Sequence, residues 1–301
     1  MRYLAIRAEN LTKFYGQHRG IEDLFLEVEP GEVFGFLGPD GAGKTTTLKL
    51  LMAETRPTYG NALLLGMDAY RHSKAIHSRV GYLPANFRPG RWGTAQRYLT
   101  GLAKVYGGES WLLAQELAAQ FKLDLEQPLA AMSGEALTEL GLVQAWMHRP
   151  DLLLLDEPAR WLGNEALDVF YRLVRQARME GRSVFLASSS VAEMERICDR
   201  VGVIHAGRLV TVERGLNLRA RALRKVEMRF AGPVSAEVFA RLPNVEDIRL
   251  EENKLRCTLC GDPDALIKLA SQFRVIDIIS QQPTLEEVFR RNYGIEAARA
   301  G

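Results

Sequence analysis

Hydrophobic and polar positions along this chain fall into two regimes, divided near Arg214. Before it, short apolar runs alternate with longer stretches where apolar residues recur at helical spacing. "VFGFL" (33–37) and "LLLL" (152–155) are apolar at nearly every position and predict short buried strands. "TTLKLL", "RYLTGLAKVYG" and "WLLAQELAAQF" place apolar residues on one side of a helical period and predict amphipathic helices. The opening "MRYLAIRAEN" is a strand pattern leading into more strand. After Arg214 the elements become short and regularly spaced. "KVEMRF" predicts a strand, "SAEVFARL" a helix, and "VEDIRLEENKLRCTLC" a hairpin turning at Glu252 and Asn253. "DPDALIKLASQF" predicts a helix begun by Asp262 and Pro263, "VIDIIS" a strand, and "TLEEVFRRNY" a last helix. The order βαββαβ is that of a small ferredoxin-like α+β domain. The expected division is therefore 1–214 and 215–301, with the basic "LNLRARALRK" as a solvated linker face.

The first buried strand runs into the strongest chemical signal of the chain. Gly38, Pro39, Asp40, Gly41, Ala42, Gly43, Lys44 and Thr45 match G-x-x-x-x-G-K-[ST], and Thr46 continues into the predicted helix. Strand, loop and helix in that order form a phosphate-binding loop. Glycines let several backbone N–H groups turn inward on phosphate oxygens. The helix N-terminus adds its positive end. Lys44 supplies a point charge, and Thr45 a hydroxyl suited to Mg²⁺. The second buried strand ends in Asp156 and Glu157. An acid there can hold Mg²⁺ through water, and the next can orient or deprotonate an attacking water. An apolar run ending in Asp-Glu is a weak motif alone; paired with the upstream loop it points to MgATP.

Composition narrows the setting. The chain has 301 residues, 47% hydrophobic and 25% charged, which is ordinary globular usage with room for two domains. A net charge of +2 gives no footprint for nucleic acid. No apolar run approaches the ~18 residues of a membrane span. The start lacks the apolar core and cleavage site of a signal peptide, so a cytoplasmic location is expected. Cys198, Cys257 and Cys260 are too few and odd in number for a disulfide framework. "CTLC" lies in an alternating strand pattern with no second ligand pair, so it reads as strand and not as a metal clip.

With these residues in place, the chain resembles the ATP-binding subunits of ATP-binding-cassette (ABC) transporters from about residue 3 to about residue 214. "AENLTKFYG" is similar to that family's opening strand, with Tyr15 at the position that stacks on adenine. "RVGYLPANF" sits at its glutamine loop. "MSGEALTELGLVQAW", with Ser133 and Gly134, sits at its signature helix, and "SVFLASSSVAEMERICDR" at its switch strand. The remaining stretch, including "PTLEEVFRRNYG", looks like the extension of drug-efflux ATPases of the daunorubicin-resistance type. The resemblance implies an α/β RecA-like core, an antiparallel β subdomain and a helical subdomain at about 86–145. It also implies a second cassette with which ATP and Mg²⁺ are sandwiched. A separate integral membrane permease would dock between the core and about residues 93–131. The chain would lie peripherally on the inner face of the cell membrane and serve export.

Four positions depart from the pattern the resemblance implies. Ala85 stands for the glutamine, followed by Asn86. The signature reads Met132, Ser133, Gly134, Glu135, Ala136. Gly163 replaces the aspartate of the loop after Glu157, with Trp161 upstream, and Ser189 replaces the switch histidine. All four belong to parts that sense or close on the γ-phosphate, whereas Tyr15, the phosphate loop and Asp156 remain. Glu135 in the first turn favours its own helix by about 0.3–1 kcal/mol and is expected to repel a partner's phosphate, unless it points to solvent. Two functions compete: a transport ATPase with slow turnover, and a catalytically deficient regulatory ATP-binding subunit paired with a competent cassette. A cassette acting on DNA or ribosomes would carry a coiled-coil insertion, a second cassette or a basic face, and this chain has none of them.

Overall fold

The computed structural model describes residues 3–90, 92–107, 109–214 and 223–281. The expected last helix at 284–293, the motif "PTLEEVFRRNYG" and most of the basic linker lie outside the described residues. The chain divides into two compact units, Met1–Arg214 and Gly215–Gly301.

The first unit runs β1 (Ile6–Tyr15), β2 (His18–Val28), β3 (Val33–Leu37), α1 (Lys44–Leu51), β4 (Tyr59–Leu64), β5 (Met67–Asp68), α2 (Ser73–His77) and β6 (Val80–Leu83). It continues with α3 (Ala95–Tyr106), α4 (Glu109–Phe121), α5 (Gly134–Trp146), β7 (Leu152–Asp156), α6 (Asn164–Met179), β8 (Ser183–Ser188), α7 (Val191–Ile197), β9 (Arg200–His205) and β10 (Arg208–Arg214). A six-stranded sheet has the order β10-β9-β3-β8-β7-β6, parallel except for β10 at the edge. Strands β3, β7 and β8 are buried at every position, which is why their sequences show no alternation. Phe34 and Phe36 pack on Phe185 across β3 and β8, with ring centroids 5.8 and 5.3 Å apart. Edge strand β10 instead alternates between exposed and half-buried residues.

A second, antiparallel sheet of order β2-β1-β4-β5 shares the core through Ile6, Leu11, Leu24 and Leu64. Helices α3, α4 and α5 form the helical segment. Thr94 caps α3 by accepting from Arg97 N, and Ser133 caps α5 by accepting from Ala136 N. The expected core, antiparallel subdomain and helical subdomain are all present. No described helix is long and apolar enough to cross a membrane.

The second unit runs β11 (Leu223–Phe230), α8 (Ala236–Ala240), β12 (Val245–Glu251), β13 (Lys254–Cys260), α9 (Asp264–Ala270) and β14 (Val275–Gln281). Its antiparallel sheet has the order β12-β13-β11-β14, the ferredoxin-like arrangement. Phe230, Phe239 and Phe273 meet at its centre with centroids 5.8 to 5.9 Å apart. The hairpin turns at Glu252, which adopts the left-handed φ of 52°. Asp262 Oδ1 accepts from Asp264 N at the start of α9. Helix α8 is shorter than the eight residues expected, and its Ser235 makes no capping bond. Cys257 is buried in β13, and among the described residues no His, Cys, Asp and Glu cluster is placed to hold a metal.

Candidate nucleotide site

The C-terminal ends of β3, β7 and β8 lie side by side, and each delivers one part of the site. Parallel α/β sheets bind ligands at that edge. From β3 the chain turns through residues 38–43 into α1. Gly38 N donates to the carbonyl of Ser188 (3.2 Å), tying the loop to the end of β8. Gly43, at φ 108°, is the N-cap of α1; a Cβ there would stand 2.6 Å from the carbonyl of Gly20. Only glycine fits both constraints.

Lys44 is 5% exposed. Its Nζ donates to the carbonyls of Gly38 (2.6 Å) and Pro39 (3.0 Å) and stands 3.0 Å from Glu157 Oε1. The contact to Glu157 is an ion pair, and Glu157 Oε1 has no hydrogen-bond partner. Thr45 Oγ1 donates to Asp156 Oδ2 (2.7 Å). Asp156 Oδ1 is buried with no hydrogen-bond partner. Burial pushes the Asp156 pKa up, opposed by the Thr45 hydroxyl. Two hard oxygens side by side, one of them an orphaned carboxylate oxygen, fit Mg²⁺.

Glu157 leaves β7 with φ 51°, a left-handed conformation that costs a non-glycine residue about 1–2 kcal/mol. Its N–H donates to the carbonyl of Ala187 on the neighbouring strand (2.9 Å), which holds that turn. Ser189 Oγ donates to Glu157 Oε2 (3.4 Å), so the position expected for a switch residue does meet Glu157, through a short side chain.

Behind it lies Glu193, 3% exposed, with Oε1 unpartnered. Burial lifts its pKa from 4.5 to about 7, against the Ser188 hydroxyl and helped by the charge of Glu157. Between those two values the folded protein holds a proton that the unfolded chain has released. The stability this proton contributes is complete below about pH 4.5 and lost as pH rises to about 7. Glu193→Gln is expected to flatten the stability profile across that window by up to about 3 kcal/mol. Urea unfolding at several pH values reads this directly, and an unchanged slope would refute it.

A cleft of about 520 Å³ brings together Tyr15, Pro39, Asp40, Gly41, Gly43, Lys44, Thr45, Thr46 and Glu157. Tyr15 is half exposed at the end of β1, with Lys13 Nζ 5.2 Å from its ring centroid. Ala42 is buried beneath the loop. Asp156 and Gly134 line a smaller adjoining cavity of about 110 Å³, where Ala85 and Asn86 stand and Glu157 is shared. Ser133 is not among the residues lining either space. Sequence reasoning missed Arg19, Gly20 and Arg160, which also line the cleft. Arg160 had a signal in its place three residues after Glu157; Arg19 and Gly20 arrive through the β1–β2 hairpin and had none.

The geometry at Glu135 adds a contact within the chain that neither expectation for that residue included. The residue is exposed in the first turn of α5, and one carboxylate oxygen turns to the loop after Glu157. Glu135 Oε1 accepts from Gly163 N (2.7 Å), and a Cβ on Gly163 would lie 2.7 Å from that same oxygen. Beside it stands the Trp161 ring, 3.9 Å from where a Cβ on Gly134 would lie. The loop after Glu157 and the first turn of α5 are therefore joined within one chain, through two of the departing positions.

A phosphate loop, a buried lysine and an acid pair at the edge of a parallel sheet define a P-loop nucleotide-binding protein. Residues 21–160 match the family described as ABC transporter. The chain is 32% identical over 210 residues to the bacitracin transport ATP-binding protein BcrA of Bacillus licheniformis, covering 68% of each. It is 29% identical over 296 residues to Nod factor export ATP-binding protein I of Burkholderia thailandensis, covering 96% of each. In fold it is similar to an ATP-binding subunit of an ABC transporter (TM-score 0.67, 24% identity, 71% of this chain and 91% of that one). It is similar also to a dimeric ATP-binding cassette in a post-hydrolysis state bound to ADP and Pi (TM-score 0.64, 19% identity, 69% and 98%). The chain belongs to the ABC transporter family, as an ATP-binding cassette subunit.

Proposed function

We propose that the chain binds MgATP in the cleft between Tyr15, the phosphate loop and the end of β7. It pairs there with a second cassette and drives a separate membrane permease, in export, with slow hydrolysis. The single observation that carries the reading is the buried Lys44, held among two loop carbonyls and Glu157 beside the Thr45 and Asp156 pair. Tyr15 stacks on adenine. The amides of residues 38–46 and Lys44 hold the phosphates, and MgATP displaces the Lys44–Glu157 pair. Mg²⁺, held by Thr45 and Asp156, would neutralise charge on the outer phosphates. Glu157, freed from Lys44, orients the attacking water and accepts its proton. Ser133 and Gly134 at the α5 N-terminus serve the facing chain's nucleotide. Ser189 is too short to reach a γ-phosphate, and Ala85 offers it no polar group, which is the reason for slow turnover.

Export is favoured by the relatives named for bacitracin transport and Nod factor export. The second of these matches over the C-terminal unit as well, in keeping with an efflux-type extension of the daunorubicin-resistance kind. The permease docks between the core and helices α3 and α4, on the inner face of the membrane. Steady-state ATP hydrolysis by the chain alone and after co-purification from membranes tests the reading. Slow turnover that rises with a co-purified integral membrane protein is expected. Negligible turnover in both conditions would replace it with a regulatory subunit.

A further inference from the structure

We infer that Arg160 is a further nucleotide-binding residue, placed to recognise the outermost phosphate and so to favour a nucleoside triphosphate over a diphosphate. The inference rests on the reading of the cleft as an ATP site. Arg160 N donates to the carbonyl of Glu157 (3.2 Å), so the turn that aims Glu157 also fixes where Arg160 begins. Its side chain lines the cleft with Asp40, Gly41, Lys44 and Thr45. A water-positioning Glu157 must stand at the outer phosphate, and Arg160, on the same turn, marks that end of the cleft and not the adenine end at Tyr15.

The cations lining the cleft differ in how far they are committed. Lys44 is taken by two carbonyls and Glu157. Arg19 is held by Glu22 at 2.9 Å. Arg160 is 54% exposed, and its ion pair with Asp40 is stretched to 4.0 Å, beyond hydrogen-bond length. Its guanidinium sits 5.7 Å from the Trp161 ring centroid, a contact that steadies the group without using its donors. A planar fork with unspent N–H donors is the geometry that grips phosphate oxygens in pairs. Asp40 makes the need specific, because an acid in the phosphate loop repels a third phosphate unless a cation offsets it. Positions 85 and 189 carry alanine and serine, so beyond Lys44 the long polar reach toward that phosphate falls to Arg160.

The test is calorimetric titration of the full chain with Mg²⁺ and either AMP-PNP or ADP. Arg160→Ala is expected to lower triphosphate affinity about 10-fold or more and ADP affinity less than about 2-fold. Arg160→Lys should recover part of the difference, and Asp40→Asn should strengthen triphosphate binding. Equal losses for both nucleotides, or no loss, while Lys44→Ala still abolishes binding, would overturn the inference and leave the site standing. Absence of nucleotide binding by the unsubstituted chain would overturn the site as well.

Discussion

Lys44→Ala is expected to reduce MgATP affinity by at least about 10²-fold. The side chain is 5% exposed, and its charge is the one fixed cation inside the loop among the described residues. Its loss leaves the carbonyls of Gly38 and Pro39 facing the phosphates, and strands Glu157, itself 10% exposed. Removing one partner of a buried pair also costs about 3–5 kcal/mol, separate from the lost contact with the phosphates. Part of that cost falls on folding, so Lys44→Ala with Glu157→Gln separates the two effects. The second change relieves the stranded charge and should restore thermal stability without restoring binding. Unchanged affinity for AMP-PNP in Lys44→Ala would rule the site out.

Ser189→His is expected to raise turnover by about 10²-fold, the typical worth of one group aimed at a developing transition-state charge. Position 189 follows the last residue of β8, which lies beside β7, and its hydroxyl already reaches Glu157 at 3.4 Å. An imidazole there extends past Glu157 toward the cleft while keeping a polar contact with it. Glu135→Gly is the companion change on the facing chain, and combined with Ser189→His it should exceed either alone in a homodimer. The bond from Gly163 N leaves Glu135 its charge but turns one carboxylate oxygen toward the loop of its own chain, so most of the gain should come from Ser189→His. Multiple-turnover kinetics decide the matter. A wild-type rate already near about 10 per second, or no gain from the histidine, would remove the idea that this switch is impaired.

Legibility in the sequence followed whether local pattern or distant contact decided a feature. Strand β3 and its loop were readable because burial on both sides forces apolar runs and because the loop needs glycine at fixed places. The second unit was readable down to its hairpin turn, since alternation and turn chemistry are both local. Arg19 and Gly20 could not be found in this way. Gly20 enters the site because a Cβ there would press on Thr46 and Tyr15, a packing condition that joins three separate stretches. Glu135 was visible as a departure, but its direction was not. The N–H that it binds lies 28 residues further along the chain, and no periodicity reports such a bond.

The joined pair of Glu135 and Gly163 also sets the order in which these positions can change. An aspartate placed at 163 first would bring two carboxylates together where one oxygen now stands 2.7 Å from the would-be Cβ. A glycine placed at 135 first would exchange the acceptor of the exposed Gly163 N–H for water and put a helix-weakening residue in the first turn of α5. Each route between this arrangement and that of cassettes with an acidic loop passes through a less stable intermediate, so the two sites behave as a single two-letter character. Grafting the usual loop into this chain one residue at a time would therefore look harmful at every step, although the finished exchange need not be.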